Sequence, residues 1–231
     1  SLGLKFRGRG AWPQFRAFVP GYLPWFVSGE EARFLTLALE QALSVALRVK
    51  EDPALLDPLR GGIYLVRTPE EREGTLTWKD EWVEPTPPEV QPLPAAVEEE
   101  ALAALCAQLP YLKMNLQADL FPMPGGIQEK GDPRPYFAYV LMLVEADSGL
   151  ILGMETMAPK PTLEAVWVQT PQNFLKGLRR LSGRPAQVSV RSERLWDLLE
   201  PVSSGLGIRL SMARSLPALE QARAFMEQRM F

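Results

Sequence analysis

The chain has 231 residues, of which 46% are hydrophobic and 23% charged, so it is large and apolar enough to bury a core. It contains no histidine and one cysteine, Cys106, which excludes disulfide scaffolds and most zinc sites, catalytic triads and haem sites. Carboxylate chemistry, alone or with a divalent cation, is what this composition permits. Because no apolar run approaches the length of a membrane span, we expect no membrane partner, no secretion signal and a cytoplasmic location.

The net charge of −3 is spread unevenly along the chain. Residues 51–110 contain thirteen acidic and four basic side chains, whereas residues 111–231 contain fourteen basic and twelve acidic ones. A nucleic-acid enzyme commonly has a strongly basic face, because neutralising phosphates supplies much of its affinity. Nucleic acid therefore stays open as a partner but receives no support from the charge.

A proline-rich segment divides the sequence. Five prolines fall within residues 85–94, and because each lacks a backbone donor, neither a helix nor a central strand can cross them. We therefore predict a small α+β domain over residues 1–84, a linker over 85–94, and a second domain over 95–231.

The first domain is predicted to be a helix packed on a β-hairpin. Ser28 and Glu31 have the spacing of a capping box, so a helix should start there and continue to about Val49. Residues 62–67 and 74–82 have strand character and are separated by a charged loop that contains proline. Apolar residues at three- and four-residue steps predict a buried stripe on the helix, formed by Phe34, Leu35, Ala38, Leu39, Ala42, Leu43, Ala46 and Leu47.

An irregular aromatic segment over residues 11–26 precedes this helix. It contains six aromatic residues broken by prolines, and two interpretations are open. The rings could form a surface that contacts a protein or peptide partner, with Trp12, Phe15, Tyr22 and Trp25 as the candidate interaction residues. Alternatively, they plug the interface between the helix and the hairpin, as small layered domains require.

The second domain is predicted to have the order β-β-β-α-β-α-β-α after an initial acidic helix. In that acidic helix, at residues 95–109, Cys106 is expected to act as a small buried hydrophobe. The Thr170-Pro171 step predicts that the helix over residues 163–181 stops and restarts there. The predicted strands are 114–121, 136–145, 150–156, 186–190 and 207–212, and the predicted helices are 163–181, 193–202 and 216–230.

This order resembles the ribonuclease H-like fold, and in particular the catalytic core of retroviral integrases and transposases. The resemblance covers residues 114–230 and is carried by Ala118-Asp119-Leu120, by the Val144–Gly153 hairpin and by Gly207-Ile208-Arg209-Leu210. It implies an α/β domain with a five-stranded mixed sheet and helices on both faces. The whole chain also resembles a bacterial family of domains of unknown function whose sequences start with Trp-Pro-x-Phe-Arg and Pro-Gly-Tyr motifs.

The integrase pattern implies three carboxylates that hold two Mg²⁺ or Mn²⁺ ions. Asp119 matches the first position and Glu220 lies on the matching final helix, but Arg191 or Ser192 stands where the second carboxylate belongs. Since a guanidinium repels a cation, we expect an Asp119–Arg191 ion pair in place of metal coordination. Replacement ligands are offered by three further carboxylates, Glu145, Asp147 and Glu155.

Two functions are compatible with these residues. The first is a catalytically inactive ribonuclease H-like module that needs no cofactor and serves as a binding or scaffold protein. It would contact a protein or peptide through the aromatic segment or through a groove between the domains. The second is a divergent metal-dependent nuclease or phosphoesterase that uses Asp119 and Glu220. A plainer reading of Asp119 is that of a solvated strand residue on the same face as Asn115 and Gln117.

Overall fold

The computed structural model describes residues 7–8, 13–56, 62–88, 97 and 99–230. Contacts divide the chain into two compact units, and residues 26–91 make up most of the N-terminal one. The C-terminal unit contains residues 92–231 and, unlike the sequence prediction, also residues 17–25. Most of the proposed linker, residues 89–94, and the candidate Trp12 lie outside the described residues.

The N-terminal unit consists of a capped helix and a hairpin. Helix α1 (Gly29–Glu51) starts at Ser28, whose hydroxyl accepts from the Glu31 N–H at 3.1 Å while the Ser28 N–H donates to the Glu31 carboxylate at 2.6 Å. A short 3₁₀ turn follows α1 at Pro53–Leu56. This confirms the predicted capping box, which satisfies two of the free donors at the helix start.

The predicted loop inside the hairpin is wrong. Strand β1 (Tyr64–Arg72) continues through Pro69 and pairs antiparallel with β2 (Thr75–Val83) along its whole length. The reversal needs only Glu73 and Gly74, which have positive φ angles of 51° and 75°. A two-residue turn of this kind matches the twist of the strands, and a two-stranded ribbon has only edge strands, where proline is tolerated.

The predicted burial of the α1 stripe is also wrong. No residue of α1 is buried, and Phe34 and Leu43 are 73% and 63% exposed. The helix instead contacts the hairpin through charge, since Arg48 and Arg67 both pair with Asp80. A two-stranded hairpin presents too little apolar surface to cover a 23-residue helix.

The described part of the C-terminal unit contains a five-stranded mixed sheet. The strand order is β5-β4-β3-β6-β7, in which β3, β4 and β5 pair antiparallel, and β6 pairs parallel with both β3 and β7. This confirms the predicted fold class. The elements in chain order are α2 (Glu99–Gln108), β3 (Tyr111–Pro122), β4 (Tyr139–Glu145), β5 (Ile151–Met157), α3 (Glu164–Leu181), β6 (Arg184–Val190), α4 (Glu193–Gly205), β7 (Arg209–Met212) and α5 (Pro217–Met230).

Helices cover both faces of this sheet, with a separate apolar core on each. On one face, Leu116 and Ala118 of β3 pack with Phe174 of α3 and with residues of α2 and α4. On the other face, Phe121 of β3 packs with Leu219 of α5. Successive β3 side chains alternate between the two cores, as the pleat requires.

Helix α3 is continuous, contrary to the predicted stop at Thr170-Pro171. Both residues lie inside the helix, and the buried Thr170 hydroxyl donates to the Val166 carbonyl at 2.8 Å. Burial of the surrounding apolar face stabilises the helix across the proline. None of the helices in the described ranges is long and apolar enough to cross a bilayer.

Residues 17–25 of the aromatic segment belong to the C-terminal unit, so the interpretation that the segment plugs the helix–hairpin interface is wrong for these residues. The Leu23 N–H donates to the Pro135 carbonyl at 3.0 Å. The Tyr22 ring meets the Tyr136 ring edge-on at 6.4 Å. Gly21 has φ of +86°, and a Cβ there would lie 2.6 Å from the Pro159 ring. The close approach therefore requires glycine.

We expect Gly21→Ala to destabilise the protein more than Gly131→Ala. Both glycines have positive φ, +86° and +94°, but no atom lies within 4 Å of a Cβ at Gly131. The clash at Gly21 should add about 1–3 kcal/mol to the conformational cost. Urea denaturation of the two variants measures the difference, and equal losses of stability would contradict the proposed contact.

We expect limited proteolysis of the intact chain to cut first within residues 85–94. Proline-rich sequence disfavours helices and sheets and is therefore open to proteases, whereas neighbouring strands of the five-stranded sheet are hydrogen-bonded to one another. Mass spectrometry of the early fragments identifies the site. Earlier cleavage inside the sheet would show that the domain boundary is misplaced.

Candidate functional site

The pairing of β3 with β6 brings Asp119 and Arg191 together. Gln117 lies opposite Ser189 in this parallel pair, so the position opposite Asp119, two residues further on, is residue 191. Arg191 directly follows the last residue of β6, where the strands' carboxyl ends meet. Ser192 does not enter the cluster, because it caps α4 by accepting from the Leu195 N–H at 3.4 Å.

The Arg191 guanidinium bridges two carboxylates. Its Nη2 donates to Asp119 Oδ2 at 2.8 Å, and its Nη1 donates to Glu220 Oε1 at 3.0 Å. Glu220 lies in the first turn of α5, where its carboxylate also accepts from the Leu216 N–H at 3.4 Å. The structure thus contains the expected Asp119–Arg191 ion pair and extends it to Glu220.

The cluster is buried at one end and exposed at the other. Asp119 is 4% exposed, whereas the side chains of Arg191 and Glu220 are 42% and 46% exposed. Burial raises the pKa of the Asp119 carboxyl above its usual range, and the Arg191 charge and the Leu120 N–H lower that pKa by less. The interpretation of Asp119 as a solvated strand residue is therefore wrong.

Arg223 is a member of this site that the sequence analysis missed. It lies on α5 three residues after Glu220, its guanidinium is 4.2 Å from the centre of the Phe121 ring, and its charge also lowers the pKa of Asp119. The only sequence signal was the i, i+3 spacing, which places two residues on one helix face. Arg223 also pairs with Glu227 at 2.8 Å, so two arginines face three carboxylates and the site has no excess of positive charge.

The three further candidate carboxylates do not join the cluster. Glu145 and Glu155 occupy strand positions on the face covered by α3, whereas Asp119 faces α5. Glu155 pairs with Arg180 there. Asp147 is exposed in the turn between β4 and β5.

These residues do not fit a two-metal centre. Such a centre needs several oxygen ligands converging on each cation, but the two carboxylates here converge on a guanidinium. Within the described ranges, no three carboxylate or thiol side chains are grouped so that they could hold a metal ion.

Basic side chains near the end of α3 have partners inside the domain. Lys176 donates to the Asn173 amide oxygen at 2.9 Å. Arg184 donates to the carbonyls of Leu109 and Leu206, at 2.8 and 2.6 Å, and to the Cys106 sulfur at 3.0 Å. These contacts join α2, β6 and α4, which is a structural role.

The aromatic candidates are divided between the two units. Phe15 is 45% exposed and belongs to the N-terminal unit. Tyr22 and Trp25 belong to the C-terminal unit, where the Tyr22 hydroxyl donates to the Pro161 carbonyl at 3.2 Å. Trp12 lies outside the described residues, so an aromatic contact surface stays a prediction.

A family model described as a domain of unknown function, DUF6930, matches residues 102–227. The chain belongs to the DUF6930 family. A second model, domain of unknown function DUF7309, matches residues 1–67. Both matches agree with the expected resemblance to domains of unknown function. No curated protein matches the chain in sequence.

Two solved structures are similar to the chain. One is the catalytic core domain of BIV integrase, with 16% identity, coverage of 51% of this chain and 69% of that one, and a TM-score of 0.38. The other is the catalytic core domain of HTLV-2 integrase in complex with magnesium, with 15% identity, coverage of 52% and 69%, and a TM-score of 0.34.

Within the DUF6930 domain, we expect Arg191→Met to raise the pKa of Asp119 further. The substitution removes the nearest compensating charge and leaves the burial unchanged. Carbon-detected NMR titration of the Asp119 carboxyl measures this pKa. Arg209→Met, which removes the same charge from an exposed position on β7, is the control and should leave the Asp119 pKa unchanged.

The raised pKa of Asp119 should also make the free energy of unfolding depend on pH. A carboxyl whose pKa is higher in the folded state favours folding most when protonated. The contribution of Asp119 to the free energy of unfolding, measured as wild type minus Asp119→Asn, should therefore fall as pH rises from the unfolded to the folded pKa of Asp119. A difference between the two proteins that does not vary with pH would contradict the raised pKa.

Proposed function

We propose that this protein is a catalytically inactive ribonuclease H-like module that acts by binding a partner. The observation that carries this proposal is the Arg191 guanidinium, which lies 2.8 Å from Asp119 and 3.0 Å from Glu220. These are the two carboxylates that match the integrase pattern. A fixed cation occupies the position between them that divalent ions would need.

Charge explains why this arrangement opposes metal-assisted chemistry. Two carboxylates attract a divalent cation, but a guanidinium between them cancels one of their two charges and occupies one oxygen of each. A cation would have to displace Arg191 and would then find two ligands from the protein instead of three. Loss of one charged ligand weakens such a site strongly, because hard cations depend on carboxylate oxygens.

A protein or peptide fits the proposal better than a nucleic acid. The site contains Asp119 and Glu220 against Arg191 and Arg223, so it presents no excess of positive charge to phosphates. Arg180 and Arg184 are engaged within the domain as well. A site without excess positive charge offers little of the phosphate neutralisation that supplies much of nucleic-acid affinity.

The alternative is a divergent nuclease or phosphoesterase that uses Mg²⁺ or Mn²⁺. One observation favours it: Asp119 and Glu220, which are far apart in sequence, do meet around one guanidinium. This function requires Arg191 to leave the cluster when substrate binds.

Cleavage assays on labelled single- and double-stranded DNA, with magnesium or manganese, should show no activity of the wild-type chain. Calorimetry should show no saturable metal binding by the wild type but binding by Arg191→Asp, since that change supplies a third carboxylate and removes the cation. Arg209→Asp makes the same charge change at an exposed position on β7 and should bind no metal.

The outcomes separate the two functions. Wild-type cleavage that Asp119→Ala abolishes would overturn the binding-module proposal and establish the enzyme. Metal binding by wild type and Arg209→Asp alike would show that Arg191 does not block the site. Binding by Arg191→Asp that is lost when Asp119→Ala is added would locate the ion at this cluster.

A further inference from the structure

Exposed apolar side chains of the C-terminal unit concentrate along β5 and α5. The described residues of this unit include ten exposed large hydrophobic side chains, and five of them lie along this one surface. Monomeric proteins rarely leave apolar residues grouped in this way, and such groups mark contact sites. The five are Ile127, Leu150, Ile151, Met154 and Phe225, which are 40–60% exposed.

Two cavities open along this surface, which we call the β5 groove. One, of about 350 Å³, lies between Met226 of α5, Met154 of β5 and the 123–127 loop. The other, of about 420 Å³, lies between Phe225 of α5 and Ile151. None of the residues that line either cavity is charged, although 23% of the chain is. An occupant must therefore present an uncharged, apolar face.

The groove runs beside a strand whose outer edge is available for pairing. β5 is an edge strand of the sheet, and no other strand in the described ranges pairs with its outer side. Over its seven residues it has no proline or lysine, the residues that usually protect such edges. Its one charged side chain, Glu155, lies on the α3 face of the sheet, away from the groove, and is neutralised by Arg180 there.

The unpaired backbone groups favour a strand as the occupant of this edge. A helix satisfies its backbone donors and acceptors internally, so it could fill the cavities but would leave the β5 edge unpaired. An added strand would satisfy the edge and place alternate side chains on the α5 side. The occupant that fits this surface is therefore an apolar, nearly uncharged strand that has one unpaired edge of its own.

β5 itself meets this description, and we propose that two copies of the chain pair through antiparallel β5 strands. A two-fold axis makes an antiparallel pair of identical strands self-complementary. The neutral edge of one copy meets the neutral edge of the other, so no like charges oppose each other. Ile151 and Met154 of each copy would then form the missing outer wall of the other copy's groove. This pairing does not depend on whether the Arg191 cluster is catalytic.

Sedimentation velocity of the full chain over a range of concentrations tests the proposal. We expect a dimer whose dissociation constant Met154→Lys raises by about 100-fold, since each copy would bury an unpaired ammonium. Ile151→Lys, on the same side of β5, should do the same. Met212→Lys is the matched control, because Met212 is 48% exposed against 47% for Met154 but lies on β7, the other edge strand.

Amide hydrogen exchange adds a readout of strand pairing itself. Exchange over residues 151–157 should be slower in the dimer than in Met154→Lys, while exchange in β7 stays unchanged. A wild-type chain that stays monomeric at every concentration would overturn the proposal, as would a dimer that Met154→Lys leaves intact or that Met212→Lys disrupts equally. A monomer that binds an apolar dye only with Met154 intact would assign the groove to another occupant.

Discussion

The parallel pairing of β3 with β6 is the contact on which both the sheet and the charged cluster depend. It joins the antiparallel strands β3–β5 to the parallel strands β6 and β7. Its register sets Gln117 against Ser189 and therefore brings Arg191 beside Asp119. A slip of one residue would turn Asp119 to the opposite face, where Ala118 now packs in the core beneath α3. The same register thus decides which side chains form the core and which form the site.

The charged cluster positions secondary-structure elements relative to one another but adds little net stability. Burial of the Asp119 carboxylate raises its pKa, and Arg191 compensates only in part, so the pair is a poor source of net stability. Asp119 comes from β3, Arg191 from the β6–α4 junction, and Glu220 and Arg223 from α5. Holding them together fixes where α4 and α5 begin relative to the sheet. A metal centre would hold the same elements by coordination, and here a guanidinium does so by hydrogen bonds.

Coverage of the sheet is unequal, and this inequality generates the β5 groove. On one face α3 packs over both β4 and β5, whereas on the other α5 packs over β3 and β4. The α5 side of β5 is left with Ile151 and Met154 exposed. The N-terminal unit shows the same imbalance in a simpler form, because its hairpin is too small to bury the apolar residues of α1. In both places the sequence supplies more apolar surface than the local partner can cover.

Local patterns in the sequence determined the element order, the Ser28 cap and the succession of strands in the five-stranded sheet, because capping and hydrophobic periodicity act over a few residues. The sequence also predicted the Asp119–Arg191 ion pair that the structure contains. Only the tertiary structure decided which helix faces are buried, that α3 continues through Pro171, and that residues 17–25 pack on Pro159 and Tyr136. It also decided that Arg223 joins Asp119 and Glu220, while Glu145 and Glu155 face the other way. These outcomes depend on contacts between residues far apart in sequence, and periodicity contains no information about which distant surface a side chain will meet.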